Sequence, residues 1–382
     1  MSPTGESAPL GRLTATLRRS SHVGRTRCRS VLLAAAAMAT SAVWLAGPSG
    51  NVAPAFAQSD AATLGILTGV SCPAPSVCVS TGEADSVNGG AVIGTTDGGR
   101  TWGPLATPPG VGGLAGVACP TKLHCEVVGD GNGDAGAVYG TRNGGRTWHA
   151  QPAVLGGGLF MAVACPSGTV CEATGNAGAI FGTINGGMTW TRQATPAKAN
   201  LVEGVSCPTT TTCEAVGFGG SGMALRTVNG GSTWSAQTLP PSVQALSGVA
   251  CPTMRVCVSV GQNAVDAGSR EVGVLVTTSN GGHTWKRRHI PAGFTDLVGV
   301  ACPTALVCEA VGLGPTAVIG TTDGGVTWTT QPIPGSMFIV GVSCPRPQRC
   351  EAVGQDSNGD FAAFGTVNGG QTWTRQPIAP AN

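Results

Sequence analysis

The chain has 382 residues, among them 61 Gly, 26 Pro, 15 Cys and 8 Trp, and only 10% of its residues are charged. So little charge and so much glycine exclude a coiled coil, a helical bundle and a disordered charged tail. Six of the 21 Lys and Arg residues precede residue 30, which leaves 15 against 18 Asp and Glu in residues 58–382. Because phosphate binding needs clustered cations, this balance excludes a nucleic-acid-binding surface.

The first 57 residues predict a secretory signal peptide. Six arginines between Arg12 and Arg29 precede an apolar run over 31–46, and Ala55-Phe56-Ala57 follows a Gly-Pro break. A basic start, an apolar centre and an A-x-A site are typical of Sec-dependent export, here with cleavage after Ala57. The alternative is a membrane anchor, but the apolar run is shorter than the roughly 20 residues that cross a bilayer. We expect a secreted, extracellular protein with no stable membrane span after cleavage.

Residues 58–382 contain seven copies of one unit of about 46 residues. Each copy carries Cys-Pro-x4-Cys followed by Thr-x-(Asp/Asn)-Gly-Gly-x-Thr-Trp. The cysteine pairs are Cys72-Cys78, Cys119-Cys125, Cys165-Cys171, Cys207-Cys213, Cys251-Cys257, Cys302-Cys308 and Cys344-Cys350. The Asp or Asn positions are Asp97, Asn143, Asn185, Asn229, Asn280, Asp323 and Asn368, and the tryptophans are Trp102, Trp148, Trp190, Trp234, Trp285, Trp328 and Trp373. This repeat length predicts an all-β, seven-bladed β-propeller over 58–382.

Four strands, A to D, are predicted in each unit. In the sixth unit they cover 297–302, 308–312, 317–321 and 327–331, each short, β-rich and bounded by Gly or Pro. The Asp323-Gly324-Gly325 segment supplies the positive φ that a tight C–D turn needs. Because antiparallel strands alternate in direction, the A–B and C–D connections share one face, here named the turn face. The variable B–C and D–A connections form the opposite loop face, where we expect binding.

Each cysteine pair brackets the predicted A–B turn. Residues opposite each other on adjacent antiparallel strands lie within disulfide reach. Thiolate metal binding is the alternative, but only four His follow residue 57 and no unit holds a second Cys pair to complete four ligands. We therefore predict one disulfide in each blade.

Three further positions repeat. The Asp or Asn of the C–D turn is expected to accept N–H groups of its own turn, and each Trp to pack between sheets while donating its indole N–H. Glu follows the second Cys in five units, at Glu126, Glu172, Glu214, Glu309 and Glu351. We expect these carboxylates to be solvated or locally paired, because exposure is the usual state of Glu.

Two predicted B–C loops have the pattern D-x-N-x-D, which converges oxygen ligands as the start of a calcium loop does. Their candidate ligands are Asp130, Asn132 and Asp134 in the second unit, and Asp356, Asn358 and Asp360 in the seventh. The downstream bidentate Glu is missing, and the same residues dominate ordinary turns, so both interpretations stay open. No other cofactor is indicated. In a closed ring, Glu83 and Asp85 of the first unit would join these loops in one acidic sector.

The octapeptide that ends in Trp resembles the Asp box, or bacterial neuraminidase repeat, of sialidases, sortilin-type receptors, some glycoside hydrolases and the photosystem II stability/assembly factors. In those families it lies between the third and fourth strands of a blade and is structural. The seven matches make the chain similar to the single seven-bladed propellers of the photosystem II factors. The resemblance implies a monomeric, non-catalytic scaffold that binds a protein or glycan of the cell envelope.

An enzyme is the alternative. A sialidase needs a Tyr nucleophile, but Tyr139 occupies a strand C position whose equivalents in the other units are apolar, so it is predicted to be core. A glycoside hydrolase could use two loop-face carboxylates such as Asp85 and Asp130. No catalytic residue is assigned. The basic run at 286–289 on strand D of the fifth unit is expected to protect a sheet edge, with partner docking as its alternative.

Overall fold

A computed structural model describes residues 65–84, 89–131, 136–152, 158–263, 272–313 and 318–380. All of them belong to one compact unit, Val52–Asn382, and the predicted signal peptide lies outside them. No helix in these ranges is long and apolar enough to cross a membrane.

The described residues form seven four-stranded antiparallel sheets, each built from four consecutive strands. Blade 1 comprises β1 (Gly65–Ala74), β2 (Val77–Ala84), β3 (Gly89–Thr95) and β4 (Gly103–Pro104), and blade 2 comprises β5 (Val111–Ala118), β6 (Cys125–Gly131), β7 (Gly136–Thr141) and β8 (His149–Ala150). Blade 3 comprises β9 (Phe160–Ala164), β10 (Cys171–Gly175), β11 (Ile180–Thr183) and β12 (Thr191–Arg192), and blade 4 comprises β13 (Leu201–Ser206), β14 (Cys213–Phe218), β15 (Gly222–Thr227) and β16 (Ser235–Ala236).

The remaining three blades repeat this order. Blade 5 comprises β17 (Val243–Ala250), β18 (Cys257–Asn263), β19 (Gly273–Thr278) and β20 (Lys286–Arg287), and blade 6 comprises β21 (Asp296–Ala301), β22 (Cys308–Leu313), β23 (Val318–Thr321) and β24 (Thr329–Gln331). Blade 7 comprises β25 (Ser336–Arg346), β26 (Arg349–Asp356), β27 (Phe361–Thr366) and β28 (Thr374–Arg375). The predicted seven-bladed propeller is confirmed, and the four strands of the sixth unit lie within two residues of their predicted bounds.

The hydrophobic core lies between blades rather than inside them. Seven clusters of buried side chains each draw on two consecutive blades. One of them joins Val353 and Phe361 of blade 7 to Leu67, Ile93 and Trp102 of blade 1, so the ring is closed by packing. Both faces of every sheet are therefore covered by a neighbouring sheet.

Main-chain hydrogen bonds also close the ring between blades 7 and 1. The N–H of Gly65 donates to the carbonyl of Gly359 over 3.1 Å. The chain that follows β28 pairs with the outer strand of blade 1: Trp102 N–H donates to the Pro377 carbonyl at 2.9 Å, and Ala379 N–H donates to the Trp102 carbonyl at 2.7 Å. The segment after blade 7 thus extends the sheet edge of blade 1.

Each blade carries one disulfide, between the two cysteines of its Cys-Pro-x4-Cys motif, as predicted. The paired Cα atoms lie 4.0–4.1 Å apart, because the A–B hairpin places its ends on opposite strands. Seven disulfides in one chain indicate an oxidising, extracellular or lumenal environment.

Candidate functional site

One hydrogen bond repeated in all seven blades joins each A–B hairpin to the C–D turn beside it. The first Gly of the turn donates its N–H to a hairpin carbonyl at 2.9–3.0 Å, as in Gly144 to Leu123 and Gly324 to Leu306. Both glycines of every C–D turn have positive φ, which only Gly adopts without strain. The hairpins and turns therefore form one uniform turn face, and the connections that vary lie opposite.

Inside each C–D turn, the Asp or Asn side chain accepts hydrogen bonds from N–H and Thr hydroxyl groups of the same turn. In blade 1, Asp97 Oδ1 accepts the Thr95 hydroxyl at 2.8 Å and the Thr101 N–H at 3.1 Å. Hydrogen bonds from Thr101 lower the pKa of Asp97 to about 2, and those from Thr327 lower the pKa of Asp323 in the same way. These acids hold turns together.

The Glu that follows the second Cys in five blades is buried, so the expectation that it is solvated is wrong. Its side chain is 0–2% exposed at Glu126, Glu172, Glu214, Glu309 and Glu351. The reason is architectural: the sheet face that alternation assigns to Glu is covered by the next blade. The expectation of local pairing is correct, because each of these carboxylates has a hydrogen-bonding or ionic partner within its own blade.

A Trp–Gln–Glu relay crosses the interface between consecutive blades. Trp234 Nε1 of blade 4 donates to Gln193 Oε1 of blade 3 at 2.6 Å, and Gln193 Nε2 donates to Glu172 Oε1 at 3.0 Å. The same relay joins Trp190, Gln151 and Glu126. It recurs at Trp373, Gln331 and Glu309, and at Trp102, Gln376 and Glu351 across the blade 7–1 junction.

The relay is missing in blade 1, where Glu and Gln are both replaced, and in blade 4, where both are kept but Gln237 donates to the Gly281 carbonyl instead of to Glu214. Blade 1 has Val79 in place of Glu and Leu105 in place of Gln, and Trp148 Nε1 instead donates to the Ala106 carbonyl at 2.8 Å. In blade 4, Glu214 pairs with Arg226 at 3.2 Å from the same blade. The Glu and Gln positions are thus kept or replaced together in the sequence, but Arg226 takes the place of Gln as the partner of Glu214 in blade 4.

Burial governs the charge state of these carboxyls. It raises the pKa of Glu172, Glu214 and Glu309 from 4.5 to about 8 and that of Glu351 to about 7, although Gln or Arg partners oppose the shift. The pKa of Glu126 is also raised by burial, against hydrogen bonds from His124 and Gln151. Glu126, Glu172, Glu214 and Glu309 lie inside blade interfaces and belong to the scaffold, whereas Glu351 also lines a cavity between blades 7 and 1.

The Trp–Gln–Glu hydrogen bonds are expected to stabilise the folded protein. Gln193→Leu should lower the free energy of unfolding by about 1–3 kcal/mol, because it leaves the Trp234 indole N–H and the Glu172 carboxyl buried without partners. Adding Glu172→Val recreates the apolar combination of blade 1 and should recover part of that loss. Urea unfolding followed by tryptophan fluorescence measures both variants. A Gln193→Leu protein as stable as the parent would contradict the relay.

Loop-face carboxylates come together on blades 1 and 2. The side chain of Asp130 accepts the N–H of Gly113, and a Cβ at Gly113 would lie 3.1 Å from Asp130 Oδ1 and 3.7 Å from Glu83 Oε2. Both carboxylates therefore border the same stretch of β5. Asp85 lies outside the described residues.

The loop of blade 7 adds two more acids to this sector. Asp356 Oδ1 accepts the N–H groups of Asn358 and Asp360 at 2.8 and 3.0 Å, and Arg375 Nη2 lies 2.5 Å from Asp356 Oδ2. The Gln355 side chain donates to the Gly65 carbonyl at 3.0 Å, so this loop adjoins blade 1. The acidic sector, defined by Glu83, Asp130, Asp356 and Asp360, thus spans three consecutive blades.

Calcium binding stays a prediction. In blade 7 both oxygens of Asp356 are already occupied by N–H groups and Arg375. No group of three or more His, Cys, Asp or Glu suited to a metal occurs within the described ranges. Asn132 and Asp134 of the blade 2 loop lie outside those ranges.

A cleft opens beside the acidic sector. It has a volume of about 480 Å³ and is lined by Asp360, Phe361, Arg375, Gln376, Pro377 and Ile378. The cleft is formed by the B–C loop of blade 7, its outer strand and the segment that pairs with blade 1. Sequence reasoning missed it, because Pro377 and Ile378 show no motif and are positioned only by ring closure.

Of the residues weighed for catalysis, the pair Asp85 and Asp130 stays untested because Asp85 lies outside the described residues, whereas Tyr139 is described. Tyr139 is buried, its hydroxyl donates to the Pro109 carbonyl at 2.9 Å, and burial raises its pKa, so it is not poised as a nucleophile. In the basic run, Lys286 and Arg287 are exposed on β20, whereas Arg288 Nε donates to Thr277 Oγ1 at 2.8 Å.

No protein-family model and no curated protein sequence matches the chain. Solved structures do match in fold. YCF48 bound to D1 peptide is 18% identical with a TM-score of 0.59, over 80% of this chain and 94% of that one. YCF48 from Cyanidioschyzon merolae is also 18% identical with a TM-score of 0.59, over 79% and 96%. A GH74 enzyme from Niastella koreensis, at 14% identity and a TM-score of 0.47, is too distant to support an argument.

Proposed function

We propose that the chain is an exported, non-catalytic propeller that binds a segment of a partner protein on blades 7, 1 and 2 of its loop face. One observation carries the proposal: four carboxylates from three consecutive blades lie in one sector beside a cleft of about 480 Å³. Loops held by a rigid scaffold are a common place for binding. We also infer that residues 1–57 direct export and that the C–D turns are Asp boxes.

The chemistry of the sector favours a peptide with basic and apolar side chains. Asp360 attracts cations, because Arg375, the other charged residue of the cleft, is paired with the buried Asp356, and Phe361, Pro377 and Ile378 add apolar groups to the lining. A YCF48 structure of the same fold is bound to a D1 peptide. We extend peptide binding to this chain without extending the identity of the peptide.

The binding proposal is tested with charge substitutions on one face. The partner is first identified by cross-linking from the purified chain to envelope proteins, and its affinity is then measured by calorimetry. Asp360→Lys is expected to weaken binding roughly tenfold, because it reverses a charge at the cleft. Ser221→Lys is the matched control, since it adds a lysine to the B–C loop of blade 4 on the same face but outside the sector.

Two results would overturn the proposal. Equal weakening by Asp360→Lys and Ser221→Lys would place binding outside the acidic sector. Release of the partner by a free glycan, rather than by a basic peptide, would make the chain a glycan-binding propeller. Thermal melts of both variants should match that of the parent, so that altered folding does not imitate lost binding.

A further inference from the structure

Large apolar side chains are exposed almost entirely on the turn face. Within the described residues nine are exposed, at 48–81% of their surface. Eight of them belong to A–B hairpins or C–D turns: Leu123, Ile184, Met188, Val228, Met254, Leu306, Val326 and Val367. Scattered exposed apolar residues need no explanation, but concentration on one face of a molecule marks an interaction surface.

Basic side chains concentrate on the same face. The described hairpins and turns carry Arg100, Lys122, Arg142, Arg146, Arg255, Arg346 and Arg349 against two acids, Asp97 and Asp323. Both acids are engaged by Thr hydroxyls and N–H groups within their own turns. This excess of cations contrasts with the acidic excess of residues 58–382 as a whole. The molecule is therefore polar along its ring axis, with a basic turn face and an acidic sector opposite.

The two kinds of side chain occupy different arcs of the ring. Six of the seven cations lie on blades 7, 1 and 2, which we name the basic arc. Six of the eight apolar residues lie on blades 3 to 6, which we name the apolar arc: Ile184, Met188, Val228, Met254, Leu306 and Val326. The hydrogen bond that joins hairpin to turn in all seven blades keeps these arcs on one uniform surface.

We propose that the turn face docks peripherally on an anionic lipid bilayer. Cations near a negatively charged membrane surface are attracted to it, and apolar side chains next to them enter the boundary between headgroups and acyl chains. A bilayer presents one extended surface, and the hairpin–turn hydrogen bond repeats around this face in all seven blades. An acidic protein would satisfy the cations but would leave the apolar arc without a comparably extended partner.

A cavity within the basic arc supports the choice of lipid. It lies between blades 7 and 1, has a volume of about 340 Å³, and is lined by Arg100, Arg349 and Arg375 together with Asp97 and Glu351. Arg349 is held within the face, because its Nη2 donates to the Gly98 carbonyl and its buried Nε lies 3.9 Å from Glu351 Oε1. Arg100 is an exposed guanidinium in the lining of this cavity, and such a donor suits a headgroup phosphate.

Vesicle flotation tests the proposal with the purified full chain. Vesicles of equal parts phosphatidylcholine and phosphatidylglycerol should bind the chain, and pure phosphatidylcholine vesicles should bind it far less. Lys122→Glu with Arg146→Glu should weaken binding at least about 25-fold, since each cation lost near an anionic surface weakens it about fivefold. Leu306→Ser with Val326→Ser should weaken binding several-fold on the same vesicles.

The matched control is Lys286→Glu with Arg287→Glu, which reverses two exposed cations on the outer strand of blade 5. It should leave vesicle binding unchanged. If the control loses as much vesicle binding as Lys122→Glu with Arg146→Glu, the loss is caused by the net charge of the protein and not by the turn face, and the proposal is overturned. Equal binding to both kinds of vesicle would also overturn it. Binding to polyglutamate with the same dependence on Lys122 and Arg146, and none to vesicles, would assign the face to an acidic protein.

Discussion

Reduction of the seven disulfides is expected to unfold the chain. Each bridge closes a loop of seven residues, which removes roughly 2.4 kcal/mol of unfolded-state entropy in the chain-entropy model. Summed over seven bridges this reaches about 17 kcal/mol, which exceeds the typical stability of a folded domain. Circular dichroism during titration with a reductant should show loss of the β-sheet signal, and melting of the unreduced protein provides the reference.

Single bridges should contribute nearly equally. Replacing Cys165 and Cys171 by Ser is expected to lower the free energy of unfolding by about 2.4 kcal/mol. Removal of Cys302 and Cys308 should have the same effect, because both pairs are separated by six residues. Urea unfolding measures each value. A reduced protein as stable as the oxidised one would show that packing between blades is sufficient.

Stability is expected to fall as the pH rises from about 4.5 to about 8. Glu172, Glu214 and Glu309 have a pKa of about 8 in the folded protein, against 4.5 when unfolded. Between these values the folded state binds more protons than the unfolded state, so the free energy of unfolding decreases with pH. With several carboxyls acting together, the expected loss across this window is several kcal/mol. Urea unfolding at a series of pH values measures it.

A substitution distinguishes the contribution of the buried Glu residues to the pH dependence of stability from that of other titrating groups. Glu309→Gln removes one buried titrating group and should reduce the slope of stability against pH between 4.5 and 8. The low pKa of Asp97 acts in the opposite direction and only in acid, because its stabilising ionised form is lost below about pH 4. Stability that stays constant or rises from pH 4.5 to pH 8 would contradict burial of these carboxyls.

Local patterns were sufficient to predict the blade, because the blade is built from local contacts. The cysteine spacing, the Gly-Gly turn and the alternation of short strands all act within one unit. The position of Tyr139 in the core also followed from comparing equivalent positions across units, and the structure agrees.

The buried carboxyls were not predicted, because their burial depends on the neighbouring blade. The expectation that Glu is exposed assumes that one face of each sheet meets water. In this propeller both faces of every sheet are covered by neighbouring blades. A signal was nevertheless present in the sequence. Units that have Glu after the second Cys have Gln three residues after the Trp, as at Gln151, Gln193 and Gln331. The two units with Val79 and Val258 in place of Glu have Leu105 and Arg288 in place of that Gln.

The candidate sites depend on contacts between distant parts of the chain. Arg375 reaches Asp356 from another strand, and Pro377 pairs with Trp102 across the ring closure. Neither contact has a local signature. The acidic sector could be anticipated from a closed ring of seven units, but the cleft beside it and the basic turn face required the three-dimensional arrangement.

Peptide mapping of the unreduced protein tests most directly that the chain is a ring of seven equivalent blades, each closed by its own bridge. Proteolysis and mass spectrometry should recover every Cys-Pro-x4-Cys segment as an internally bonded loop, with no free thiol among these fourteen cysteines. Bridges that connect cysteines of different units, or fourteen alkylated cysteines before reduction, would contradict this arrangement.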